Sequence, residues 1–102
     1  MENRKKVLNL LGLATRAGKT ASGEFMTEKA IKSGKAYLVI VSEEASDNTK
    51  KKFADSAAYY NKKVVIYGDK FELGKAIGKN ERSVIVIKDG GFAKKIIDMI
   101  GE

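Results

Sequence analysis

Val7, Leu8, Leu11 and Ala14 recur at helical spacing along the first segment, with Leu10 and Leu13 widening the stripe. That periodicity predicts an amphipathic helix from about Asn3 to Ala17. Gly18 is its natural stop, since glycine takes the left-handed conformation that closes a helix. Thr20, Ala21 and Ser22 then read as a short extended piece. From Gly23 to Ser33 the helical pattern returns, with Met26, Thr27, Ala30 and Ile31 on the inner face and Gly34 at the end.

The pattern then changes period. Tyr37 to Val41 (YLVIV) is continuously apolar rather than alternating, the mark of a strand covered on both faces. Ser46, Asp47 and Asn48 are good helix caps, and the segment from about Thr49 to Tyr60 places Phe53, Ala57 and Tyr60 inward. Lys63 to Tyr67 (KVVIY) is expected as a second buried strand. Asp69 and Glu72 stand at capping-box separation before Leu73 and Ile77, and Gly78 closes that short helix. Ser83 to Ile87 (SVIVI) is a further buried strand, and Phe92, Ala93, Ile96, Ile97 and Ile100 form the inner stripe of a last helix. Helices alternating with apolar strands imply crossover units, a parallel or mixed sheet and helices on both faces, an α/β fold in a three-layer α/β/α sandwich.

At 102 residues, without proline, linker or internal repeat, the chain is expected to fold as one domain over residues 1–102. Its apolar runs fall short of the roughly 18 residues a membrane span requires. The N-terminal MENRKKVLNLL lacks the long apolar region of a secretory signal, and there is no cysteine, so the expectation is a soluble cytoplasmic protein, a monomer, without contact to a membrane.

Charge adds a direction. The chain carries 20 Lys and Arg against 13 Asp and Glu, a net charge of +7, which suits a nucleic-acid or other anionic partner. Residues 1–35 hold eight basic and three acidic side chains, so the positive field is concentrated at the front. A Lys-rich surface can also serve solubility alone. The clustering of these charges beside glycines, in RAGKTASGEFMTEKAIKSGK from Arg16 to Lys35, favours a binding edge.

What is missing narrows the chemistry. Without His, Cys or Trp, neither His-assisted nucleophilic catalysis nor a typical zinc centre can be assembled, so no catalytic residue, metal or cofactor is assigned and the chain is read as no enzyme. Glu43 and Glu44 are adjacent and fit a solvated loop better than a paired acid and base. Gly18, Lys19 and Thr20 give the GKT that ends a phosphate-binding loop. The partner glycine, Gly12, is one residue too distant and lies inside a helix instead of following a strand.

The segment from Gly23 to Lys29 supports two readings. In one, Gly23 merely begins a helix, Phe25 and Met26 are core, and Glu24 with Glu28 offsets the positive helix end. In the other, amides at Gly23, Glu24 and Phe25 meet phosphates, Phe25 stacks on a base, and Arg16, Lys19, Lys29 and Lys32 contact an RNA backbone.

The blocks GEFMTEKAIKSGKAYLVIVSEEASDNTKKK, FELGKAIGK and VIVIKDGGFAKKI, in that order, resemble the kink-turn RNA-binding ribosomal proteins, the L-seven-Ae and L-thirty-e group. They are most similar to its small bacterial, YlxQ-type branch, and the resemblance covers nearly the whole chain. It implies a mixed, about four-stranded sheet within the sandwich. It also implies RNA contact by the segment from Gly23 to Lys29, helped by the loop Lys79, Asn80, Glu81 and Arg82. The chain departs from the family where kink-turn binders carry an Asn-Glu pair. Phe25 and Met26 stand in those places, and the second loop is short and polar. The reading is therefore a non-enzymatic protein of ribosomal or other structured RNA, without the residues that specify a kink-turn. Its site residues are Arg16, Lys19, Gly23, Glu24, Phe25, Lys29, Lys32, Asn80 and Arg82. The alternative is a protein–protein adaptor using the same basic face; partners that survive nuclease digestion would favour it.

Overall fold

The computed structural model describes residues 2–101. Its elements are α1 (Glu2–Arg16), β1 (Thr20–Ser22), α2 (Glu24–Lys32), β2 (Leu38–Val41), α3 (Asp47–Tyr59), β3 (Val64–Ile66), α4 (Lys70–Ala76), β4 (Val84–Ile87) and α5 (Gly90–Gly101). The sheet order is β1-β4-β2-β3. β4 runs antiparallel to both β1 and β2, and β2 pairs parallel with β3, so the sheet is mixed, as the sequence pattern implies.

Strand alternation decides which helix covers which face. Leu38, Ile40, Ile85 and Ile87 point to one side and pack with Val7 and Leu11 of α1, Leu73 of α4 and Ile96 of α5. Val39, Val41, Val84 and Val86 point to the other and pack with Ala30 and Ile31 of α2 and Phe53 of α3. The four residues of β2 and the four of β4 are all buried, because helices lie on both sides of them. α1 approaches α4 closely at Gly12, where a Cβ would come within 3.1 Å of the Ala76 carbonyl oxygen.

Several inward expectations are corrected by position in the sheet. KVVIY forms only an edge strand, paired on one side alone with β2, and its Ile66 is 47% exposed. Tyr60 is partly exposed rather than inward, since α3 ends at Tyr59 and the ring turns to pack edge-on against Tyr59 with centroids 4.9 Å apart. Leu13 and Met26 also reach solvent, each lying off the buried stripe of its helix.

The direction of the strands places the loops. Because β1, β2 and β3 run the same way and β4 the opposite way, α2, α3 and α4 all start at one edge of the sheet. The α4–β4 loop reaches that same edge. The α1–β1, α2–β2, α3–β3 and β4–α5 connections gather at the opposite edge.

The expected capping box is present at α4. Asp69 accepts from the Phe71 and Glu72 amides, and the Glu72 carboxylate accepts from the Asp69 amide. Glu72 also pairs with Arg4 of α1, whose guanidinium lies 5.7 Å from the Tyr67 ring centroid. The hydrogen bond from Arg4 holds the Glu72 carboxyl below the usual glutamate range, against the opposing effect of burial, and the Asp69 amide reinforces it. A carboxyl lowered on folding stabilises the fold above its unfolded pKa and loses that contribution as pH falls through the folded value. Glu72→Gln should therefore cost roughly 1 kcal/mol near neutral pH. Urea unfolding should show that difference shrinking as the wild-type carboxyl protonates, and a gap that stays constant into acid would contradict the assignment.

Gly74 fits the α4–β4 loop to the helix. A Cβ there would lie 1.8 Å from the Asn80 carbonyl oxygen and 2.6 Å from its carbon, both backbone atoms that cannot swing aside. Gly74→Ala should cost about 1–3 kcal/mol, measured by chemical denaturation, because the loop must move away from α4.

Candidate functional site

α2 begins at Gly23, whose φ of 88° and ψ of 159° belong to a backbone region open to glycine but strained for other residues. The Gly23 amide donates to the Val84 carbonyl at 2.9 Å, tying the helix start to β4, and the Gly23 carbonyl accepts from Thr27 at 3.1 Å. The Gly23 amide is therefore engaged, contrary to the sequence reading that left it for a ligand. The amides without an intrahelical partner are those of Glu24, Phe25 and Met26, one residue further along. No side chain caps them.

The neighbouring helix starts differ. Ser46 caps α3 through the Thr49 amide at 3.1 Å. Asp69 caps α4, and Glu44 accepts from the Lys70 amide at 2.9 Å. Of the three helices starting at this edge, α2 alone lacks a side-chain cap. Glu24 complements the positive end of α2 by charge but is drawn towards α3, where it accepts from Thr49 Oγ1 at 3.0 Å and pairs with Lys52 Nζ at 3.3 Å. Glu44 thus serves a helix end, which gives the Glu43–Glu44 pair a structural use.

Two aromatic rings stand in solvent at this edge. Phe25 is 78% exposed, which decides between its core and surface readings. The buried face of α2 is carried by Thr27, Ala30 and Ile31, and Phe25 lies off that stripe. It shares a shallow groove with Glu28, Lys29, Lys32 and Ser33. Phe25, Lys29 and Lys32 follow one another at helical spacing. Glu28 in that groove accepts from the Ser56 hydroxyl at 2.6 Å, so its carboxylate is held by α3. The second ring, Phe71, is 61% exposed in the first turn of α4 and has the Lys70 ammonium 5.4 Å from its centroid. The sequence reading missed Phe71; an apolar residue just inside a capping box, off the stripe of Leu73 and Ile77, was the available sign.

Arg82 joins these parts. Its amide donates to the Lys70 carbonyl at 2.9 Å, its Nε to Ser22 Oγ at 3.1 Å and its Nη1 to the Glu81 carbonyl at 2.9 Å. The guanidinium is held at the end of β1, next to Gly23, with donors left over. Asn80 is exposed in the same loop and, with Phe71, Lys79 and Glu81, lines a depression.

Gly23, Glu24, Phe25, Asn80 and Arg82 are thus brought to one edge, and Lys29 and Lys32 extend from it along α2. Arg16 and Lys19 are not. Arg16 ends α1 and Lys19 lies in the α1–β1 turn, both at the opposite edge, with the three residues of β1 between Lys19 and Gly23, a span of about 13 Å. Arg16 faces a groove between α1 and α4 lined also by Lys5, Leu13 and Lys75.

The chain can be set beside known proteins. Residues 5–97 match the ribosomal protein L7Ae/L30e/S12e/Gadd45 family. An Enterococcus faecium protein described as RNA-binding protein YlxQ is 45% identical over 98 residues, 96% of this chain and 94% of its own. A Bacillus subtilis protein of the same description is 43% identical, over 89% of this chain and 91% of its own. The structure of a Bacillus halodurans protein of unknown function has a TM-score of 0.92 at 45% identity, covering 95% of this chain and 98% of that one. The 15.5 kD RNA-binding protein of Giardia lamblia shares the fold, with a TM-score of 0.82 at 22% identity over 99% of this chain and 87% of its own. With its family match, two relatives above 40% identity and its helix-covered mixed sheet, this chain belongs to the ribosomal protein L7Ae/L30e/S12e/Gadd45 family.

Proposed function

We propose that the protein binds RNA, without catalysing a reaction on it, at the edge where α2 begins. The observation that carries the reading is the juxtaposition of uncapped amides at Glu24 to Met26 with the exposed Phe25 ring and the braced Arg82 guanidinium. Helix amides bind phosphate oxygens, a guanidinium matches them with paired donors, and an aromatic ring stacks on an unpaired base. The description of the Enterococcus and Bacillus relatives as RNA-binding proteins supports the same partner. Ribosomal or other structured RNA fits best, because such RNA presents splayed bases beside a folded backbone. The protein acts as a monomer in the cytoplasm.

The edge reads backbone and stacked base more than base edges. Phe25 and Met26 occupy the places where kink-turn binders of the family carry a polar pair, and a phenyl ring offers no hydrogen bond to a sheared base pair. Lys29 and Lys32 continue the phosphate path along α2.

Arg82, Lys29 and Lys32 as cationic contacts should contribute roughly 2 to 3 to the downward slope of the log of affinity for bulk transfer RNA against log salt. A slope near zero would remove the electrostatic basis of the proposal. Phe25→Ala should weaken binding about tenfold and leave the slope unchanged, since stacking releases no counterions. Phe25 is exposed, so circular dichroism and the unfolding midpoint should not move. Equal affinity in the variant would take the ring out of the interface.

A further inference from the structure

A second basic feature lies at the opposite edge of the sheet. The register Thr20↔Ile87 and Ala21↔Val86 sets Lys19 directly across from Lys88, and the Lys88 amide donates to the Lys19 carbonyl at 2.7 Å. Two residues on from Ala21 and Val86, both side chains fall on the α2 face of the sheet. Like charges directly opposed on a ladder are destabilising. Next to this pair, Lys29, Lys35 and Lys88 wall a concavity of about 190 Å³ floored by Ala21, Met26 and Ala30. None of Lys19, Lys29, Lys35 and Lys88 is ion-paired with a described residue. The carboxylates next in sequence to Lys88 and Lys29 have other partners: Asp89 accepts from the Phe92 amide, and Glu28 accepts from the Ser56 hydroxyl.

We propose that this pocket is a second phosphate site, which shares Lys29 with the path along α2 and takes a further phosphodiester of the RNA at the opposite edge of the sheet. An apolar floor strengthens the field of the ammonium groups around it. The volume is below the roughly 300 Å³ at which drug-sized ligand pockets begin, so a single phosphate group fits better than a nucleotide or a folded peptide. Met26 and Lys29 bring the pocket against the flank of α2, while Lys35 and Lys88 carry it to the edge of the sheet opposite the helix start. An anion bound here relieves the repulsion between Lys19 and Lys88, which gives the pocket a reason to hold it. The choice of RNA as the source of the phosphate rests on the function proposed above; the anion site itself rests on the lysines.

The test uses the full chain with two probes, inorganic phosphate and bulk transfer RNA. Phosphate, at ionic strength matched with chloride, should shift the backbone amide resonances of Lys19, Lys88 and Ser33 and raise the melting temperature. The shifts at Lys19 and Lys88 should vanish and the rise in melting temperature should shrink in Lys35→Gln/Lys88→Gln, whose own melting temperature without phosphate should equal or exceed wild type because the opposed charges are gone. Against transfer RNA that variant should lose about 1.4–1.8 from the salt slope, two contacts' worth. Lys94→Gln/Lys95→Gln on α5 should keep the wild-type slope. An equal fall in that control, or an unchanged slope in the pocket variant, overturns the RNA assignment. Absence of the phosphate-induced shifts overturns the site. Should wild type bind no transfer RNA while phosphate still moves Lys19 and Lys88, the function proposed above fails and the anion site stands. If wild type binds polyglutamate more tightly than transfer RNA and the pocket variant loses it, the site belongs to an acidic protein, and the RNA assignment falls.

Discussion

The antiparallel pairing of β4 with both β1 and β2 is the constraint on which the molecule depends. β4 lies between them in the sheet, and running against both it leaves β1, β2 and β3 pointing one way. Three helix starts and the α4–β4 loop therefore meet at one edge. The ladder ends in the bond from the Gly23 amide to the Val84 carbonyl, which holds the entry to α2 in a conformation natural to glycine. That bond fixes the uncapped amides beside Arg82, which is held by its own bonds to Lys70, Ser22 and Glu81.

Capping then distinguishes one helix start from its neighbours. Ser46, Asp69 and Glu44 satisfy orphan amides at α3 and α4, while α2 has only Gly23. A glycine start has a structural use, since it permits the turn out of β1. The exposed phenyl ring two residues after it has none in packing: at 78% exposure Phe25 contributes little to the core. The acidic residues around this edge are largely engaged, Glu24 with Lys52 and Thr49, Glu72 with Arg4. That leaves the positive helix end and Arg82 to set the local field.

Much of the fold was legible in the chain. The helical stripes of α1, α2 and α5, the unbroken apolar runs of β2 and β4 and the capping box of α4 each follow from local periodicity or from one short hydrogen-bonded motif. KVVIY reads like VIVI, yet β3 is an edge strand. A strand's position in a sheet depends on pairing with distant segments, and composition does not encode it. Phe25 was legible as either core or surface, because a single aromatic at the first turn of a helix can rotate towards either side of its stripe.

The sequence by itself determined the elements, their boundaries to within a residue or two, the alternation that makes an α/β/α sandwich, and the excess of positive charge near the front. Those properties are local, or are sums over residues. Only the tertiary structure decided which charges stand together. Lys19 and Gly23 are close along the chain but occupy opposite edges, because a strand separates its two ends; Gly23 and Arg82 are far apart along the chain but adjacent, because β1 pairs with β4. The same pairing sets Lys19 against Lys88. Two lysines separated by most of the chain become neighbours through strand register, a property of the ladder that neither segment carries alone.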